Sequence, residues 1–182
     1  MAYGFMIESR IAATNIDALN RSAVSTTVDV AGGGLVSLTA PEVQGEDRYT
    51  ATAPAAGKLT NLWMAYNPSY HVVTTPNIPN RQFAGLSIDP RAFTNPMNRT
   101  FSIFKPVKYD NIVVSVDAVS GDNIARGTIL EGAANSTLLT KVAQHTAGNT
   151  AFVVEWQGVL PFPQAGIGND FYTGYKIECI EA

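Results

Sequence analysis

The sequence predicts a mainly β protein, a β-sandwich or small β-barrel core with an N-terminal hairpin and arm and long Pro-rich loops. Three observations predict it. Apolar residues recur with period two wherever the chain shows a period. Helix start and stop signals are weak. The connecting segments are dense in turn formers, with 15 Gly and 10 Pro among 182 residues. A compact domain takes roughly 100–200 residues, so this length suits one core or two small ones sharing an interface.

Taken in chain order, Ala2 to Ser25 is apolar without a clear period and reads as an arm that orders against a partner or a neighbouring copy. Within it, Ile11, Ile16 and Leu19 form an imperfect helical stripe over Ile11 to Ala23, with Asn15 as a possible cap and an extended segment as the alternative. Thr26 to Val30 and Leu35 to Thr39 are β-rich runs separated by Ala31-Gly32-Gly33-Gly34, the pattern of a hairpin. Ala53-Pro-Ala-Ala-Gly57 then marks a boundary, giving an arm and hairpin region over 1–57 and a β core over 58–182, with one continuous domain as the alternative. Leu59 to Tyr66 and Thr100 to Phe104 are strand candidates rich in β-branched and aromatic residues. The firmest strands alternate cleanly: Ile112, Val114, Val116 and Ala118; Phe152, Val154 and Trp156; Tyr175, Ile177 and Cys179. Two long loops, over 66–80 and 160–170, exceed the about 4–6 residues of an ordinary connection and so point to function or partner contact.

Composition removes several classes of function. Only 15% of residues are charged, the net charge is −3, and Ala, Thr and Asn fill the places that Lys and Glu usually take. Such a chain has no electrostatic attraction for phosphate backbones, so nucleic acid is excluded as a partner. No apolar run approaches the roughly 20 residues of a membrane span, which predicts a soluble chain. Met1 to Arg10 carries no basic n-region and Glu8 interrupts its apolar stretch, so folding in a cytoplasm is expected. A single cysteine agrees, since it makes no internal disulfide.

No catalytic or cofactor signature is present. His71 and His145 stand 74 positions apart with no metal-ligand spacing, and neither lies near Cys179 in the chain. Gly85-Leu-Ser-Ile-Asp89 lacks the second glycine of a nucleophile elbow. Cys179, on the inward face of a terminal strand, reads as a small buried hydrophobe. Ser120-Gly-Asp-Asn123 reads as a turn between strands rather than a calcium loop. Gly32 to Gly34 lacks the Lys-Ser/Thr of a phosphate loop. Neither catalytic, cofactor nor metal residues are therefore expected. Trp63 and Trp156 stand in alternating strands and are expected in the core, a sugar-stacking platform being the alternative. The candidate interface residues are the loop aromatics Tyr66, Tyr70, Phe162, Phe171 and Tyr172, which either anchor a partner or fold back over the core.

Three stretches carry a family likeness: Leu59 to Tyr66, Phe93-Thr-Asn-Pro-Met-Asn-Arg-Thr-Phe101, and Lys108 to Asp117. They resemble the head decoration and minor capsid (cement) proteins of tailed bacteriophages, in which a Phe-x-Asn turn with a following Arg precedes a Gly-Asp lead-in to the next strand. Here Tyr109-Asp110 replaces the Gly-Asp. Val119 to Glu131 resembles the small-barrel segments of such proteins, and the likeness covers roughly residues 59 to 180. The resemblance implies a non-enzymatic virion structural protein on the outside of a phage head. Its partners would be the major capsid protein and neighbouring copies of itself, as a homo-oligomer on the lattice, after folding in the host cytoplasm. It transfers no catalytic residue. A tail or baseplate component and a carbohydrate-binding β-sandwich module are the alternatives. Low charge suits the lattice role, because closely spaced copies repel less.

Overall fold

A computed structural model describes residues 4–41, 48–67, 72–73, 85–86, 94–161 and 171–182. Its strands are β1 (Met6–Arg10), β2 (Asn20–Ser25), β3 (Leu35–Pro41), β4 (Arg48–Thr52), β5 (Trp63–Ala65), β6 (Val72–Val73) and β7 (Gly85–Leu86). They continue as β8 (Thr100–Phe104), β9 (Asn111–Ser115), β10 (Val119–Ser120), β11 (Ile129–Ala133), β12 (Ser136–Val142), β13 (Ala151–Pro161) and β14 (Phe171–Glu181). The protein is mainly β, as its alternation predicts. Seven strands form one sheet in the order β1-β9-β14-β13-β11-β12-β10, and β2-β4-β3-β5-β8 close into a small barrel.

The barrel is filled by small and β-branched side chains, Ala23, Val30, Val36, Ala51, Ala65 and Ile103, with Phe101 beside them. Small residues are what a five-stranded closure demands, because its interior leaves room for little else. A second core lies between barrel and sheet. Leu35, Met64 and Phe104 from barrel strands pack there against Ile112, Val114, Leu130, Phe152, Val154 and Ile177 from the sheet.

The residues 1–57 therefore do not stand apart from 58–182. Strands β2, β3 and β4 share the barrel with β5 and β8, and β1 is one of the two edge strands of the sheet among the described residues, with Met6 opposite Val114. The expected arm is built into the fold from Gly4 onward, Phe5 being fully buried. Between β1 and β2 the chain makes two 3-10 turns, Ala12–Thr14 and Asp17–Leu19, rather than a helix. One distant and one nearby partner hold them: Ala12 N donates to Asp110 Oδ1 at 2.8 Å, and Asn20 Nδ2 donates to Ala13 O at 2.7 Å.

Three strand expectations change. The hairpin across Ala31 to Gly34 is absent: β2 ends at Ser25 and pairs in parallel with β4 and antiparallel with β8, never with β3. Ser25 Oγ stops the strand by donating to Val28 O and accepting from Val28 N, a local turn that competes with the ladder. Leu59 to Tyr66 shortens to Trp63–Ala65, since Asn61 adopts a left-handed φ of 55°. Ile112 to Val119 breaks after Ser115 into a 3-10 turn, Val116–Ala118. There Phe5 N donates to Ser115 Oγ, and Val116 is left exposed.

The glycine run serves a close approach instead of a hairpin. Gly33 takes a φ of +78° and donates its N–H to Ala65 O. A Cβ on Gly32 would lie 1.9 Å from Asn67 Oδ1. That space lets the Asn67 amide act as a one-residue strand, accepting from Met6 N at 2.9 Å and donating to Met6 O at 2.5 Å. Each such bond contributes about 1 kcal/mol net, so Asn67→Ala is expected to lower unfolding free energy by about 1–2 kcal/mol. A lower urea midpoint at unchanged slope is the check, and an unmoved midpoint refutes it.

Candidate functional site

The five candidate aromatics fall on different elements. Tyr70 and Phe162 lie outside the described residues. Phe171 and Tyr172 open β14, their backbones opposite Pro161 and Leu160. Tyr66 follows β5 and is half-buried. Its hydroxyl donates to Asn20 Oδ1 at 3.0 Å and its ring lies 4.8 Å from that of Phe104. Tyr66 also lines an open groove of about 950 Å³ between β1 and β2, with Met6, Asp17, Arg21, Ser22 and Asn67 among the other walls. Tyr66 thus packs against the core through Phe104.

Beyond Tyr66, the outer half of β13 and β14 is distinctive. Strand β11 pairs with β13 only as far as Val153, and β9 pairs with β14 only from Gly174 onward. The pairs Val159 with Thr173, Leu160 with Tyr172 and Pro161 with Phe171 have no further strand on either side among the described residues. The chain thus extends past the sheet as a two-stranded ribbon. An isolated ribbon of this kind is marginal in water and offers free edges for pairing.

Trp156 stands at the base of this ribbon and overturns its expected place in the core. The ladder slips between Val154 and Trp156, so Trp156 lies opposite Lys176 where an unbroken ladder would place it opposite Tyr175. The extra residue, Glu155, is a bulge that turns the following side chains, as far as Val159, to the face opposite the one strict alternation assigns. Glu155 Oε2 lies 2.6 Å from Lys176 Nζ, and that contact holds the Glu155 carboxyl below the usual range. The indole lies over Gly158, where a Cβ would come within 2.0 Å of the ring, and it is 46% exposed. Val159, further out, is 55% exposed. Trp63 keeps its place against the barrel core, with the Arg21 guanidinium 5.9 Å from its ring and 5.6 Å from that of Tyr49.

Among the described residues, Glu131, His145 and Glu181 form a dense titratable cluster, which nothing in the sequence spacing marks. Glu131 on β11 and Glu181 on β14 flank Ala151 in one cross-strand row, since Glu131 pairs with Ala151 and Ala151 with Glu181. Residues two strands apart are about 9–10 Å from one another, a gap of one ring over a small residue. The imidazole of His145, from the β12–β13 connection, fills it. Nδ1 lies 2.7 Å from Glu131 Oε1 and Nε2 lies 2.6 Å from Glu181 Oε2. Thr146 N and Asn149 Nδ2 also donate to Glu131, and Gly148 N donates to Glu181. Hydrogen bonds that the ring donates to Glu131 and then to Glu181 raise the His145 pKa above its ordinary 6.5. Burial pushes Glu131 upward, but Asn149, Thr146 and His145 together outweigh it and hold the carboxyl below 4.5. The two carboxylates sit on opposite ring nitrogens, so they do not converge on a common point. Among the described residues no group of three His, Cys, Asp or Glu is placed to hold a metal ion.

Cys179 is fully buried, and burial followed by the Asp110 charge pushes its thiol up to about 12. A thiol so protonated is not a nucleophile. After Gly121, the backbone carbonyls of Asp122 and Asn123 accept from Lys141 Nζ at 2.9 and 3.1 Å. Among the described residues no helix is long and apolar enough to cross a membrane. The site features are those of a β scaffold displaying a ribbon and a groove, with no nucleophile activated by a base among the described residues. Compared with family models, curated proteins and solved structures, the chain matches none.

Proposed function

We propose that this chain is a non-enzymatic virion structural protein, a capsid decoration protein that binds the outside of a tailed-phage head and stabilises it. The observation that carries the reading is the β13–β14 ribbon, which extends beyond its sheet with Trp156 and Val159 exposed. Aromatic and aliphatic side chains on a ribbon that has no further strand beside it among the described residues gain most when a partner strand or surface covers them. The likeness over residues 59 to 180 supplies the partner class: the major capsid protein, with neighbouring copies of this chain beside it. Low charge suits crowded packing there. The protein would fold in the host cytoplasm and end on the head surface.

Purified particles test this. The chain is expected at a copy number commensurate with capsid positions. Its presence in infected-cell lysate but not in particles would sink the reading, and a low copy number with labelling at the tail would move it to a tail or baseplate component. Val159→Asp and Trp156→Ala are each expected to change the chain's own stability by no more than about 1 kcal/mol while abolishing attachment to particles. The exposed indole also favours a second reading, a carbohydrate-binding β module, because a flat accessible ring is what a sugar stacks on. Tryptophan fluorescence that shifts with cell-wall glycans, and stops shifting in Trp156→Ala, would favour that outcome.

A further inference from the structure

Outside the ribbon, the Glu131–His145–Glu181 cluster has a geometry that binding to a capsid does not require. Leu130 points into the core between barrel and sheet, so its neighbour Glu131 faces the other side, and yet Glu131 is only 2% exposed. The cover is the β12–β13 connection, residues 143–150, which folds back over the sheet and places three donors on one carboxylate. Glu181 reaches the same face because β14 slips by one residue against β13 between Cys179 and Glu181. A bulge and a folded-back loop are thus spent on holding two carboxylates to one imidazole.

We propose that this cluster is a proton-operated latch: the imidazolium of His145 ties the 143–150 connection to Glu131 at the middle of the sheet and to Glu181 at the end of β14, and loss of its proton opens it. The reason is donor count. An imidazolium has two N–H donors and serves both carboxylates, while a neutral ring has one and turns a lone pair toward the other. Glu131 keeps Thr146 N and Asn149 Nδ2 in either state. Glu181 retains only Gly148 N and is the partner released. Among the described residues, the charged groups facing the ring are Glu131 and Glu181, and Lys108, from the β8–β9 connection, acts on Glu181. Both carboxylates favour the charged ring, so the latch is closed below the raised His145 pKa and opens as pH rises through it.

The sign follows from linkage. A raised histidine pKa contributes stability fully present below 6.5 and lost as pH rises through the folded value. The two lowered carboxyls contribute stability present above 4.5 and lost as pH falls through their folded values. The closed latch therefore contributes most between those limits.

Heteronuclear NMR of the full chain tests it. The His145 ring is expected to titrate above 6.5, with the Thr146 and Gly148 amide shifts following the same midpoint. In Glu181→Gln, whose side chain is exposed enough to leave folding intact, the midpoint falls. In His145→Gln, Gly148 amide exchange at about pH 6 is expected to be at least roughly tenfold faster than in the parent, and the two converge once pH lies well above the parent's own His145 midpoint. A His145 midpoint at or below 6.5, or Thr146 and Gly148 amides that ignore it, overturns the proposal. So does exchange in His145→Gln that matches the parent on both sides of the parent's midpoint.

Discussion

Replacing Phe104 by alanine is expected to lower the unfolding free energy by about 3–5 kcal/mol, the cost of removing a buried aromatic ring and leaving its cavity. Phe104 is fully buried at the end of β8, in the core shared by barrel and sheet. Its backbone pairs with Asn20 on one side and Met64 on the other, so relaxation to fill the space is limited. Against a typical stability of about 5–15 kcal/mol, this is enough to leave a marginal fold. Because the ring belongs to a core common to both layers, unfolding should remain one transition, with far-ultraviolet dichroism and tryptophan fluorescence falling together. A cost below about 1.5 kcal/mol, or two separated transitions, would show that barrel and sheet do not share this core.

Glu131→Ala carries the second large effect, a loss of about 2–4 kcal/mol near pH 6, lower than for a fully buried ion pair because His145 keeps partial access to water. The change strips the shared acceptor from His145, Thr146 and Asn149. It also removes the first cause of the raised His145 pKa, so that residue should titrate closer to 6.5. Stability measured against pH then separates this from simple loss of packing. The parent should weaken below 4.5, as Glu131 takes up a proton it holds less readily when folded, and again above 6.5, as His145 gives one up. The variant should lose most of both slopes. Two pH profiles that run parallel would refute the assignment and leave only a packing defect.

How much of this was legible in the sequence depends on the range of the interactions involved. The inward sets Phe152 and Val154, and Tyr175, Ile177 and Cys179, are buried as their alternation predicts, and Thr100–Phe104 is a strand with the expected bounds. Cys179 is the buried small hydrophobe its position implies. Trp156 was misplaced by the same rule that placed Val154. Alternation assumes an unbroken ladder, and a bulge at Glu155 is decided by pairing with β14. The glycines at 158 and 174 are the one local sign of irregularity there, because glycine inside a strand often marks a bulge or a covering aromatic. The hairpin over 26–39 failed for a related reason. Ser25 can bond its own backbone three residues on, and β4 and β8 offer β2 better partners than the next strand in sequence.

The sequence by itself determined that this protein is mainly β, that its strands bury one face, and that its one cysteine lies on an inward strand face. These are properties of composition and of near neighbours, and burial of apolar surface enforces them in any topology that satisfies the period. Only the tertiary structure decided that the first 57 residues close a barrel with later strands, that Trp156 faces outward, and that Glu131, His145 and Glu181 meet. Each depends on which strand lies beside which. That choice is made by packing and register over separations such as the 36 positions between His145 and Glu181, which no local pattern encodes.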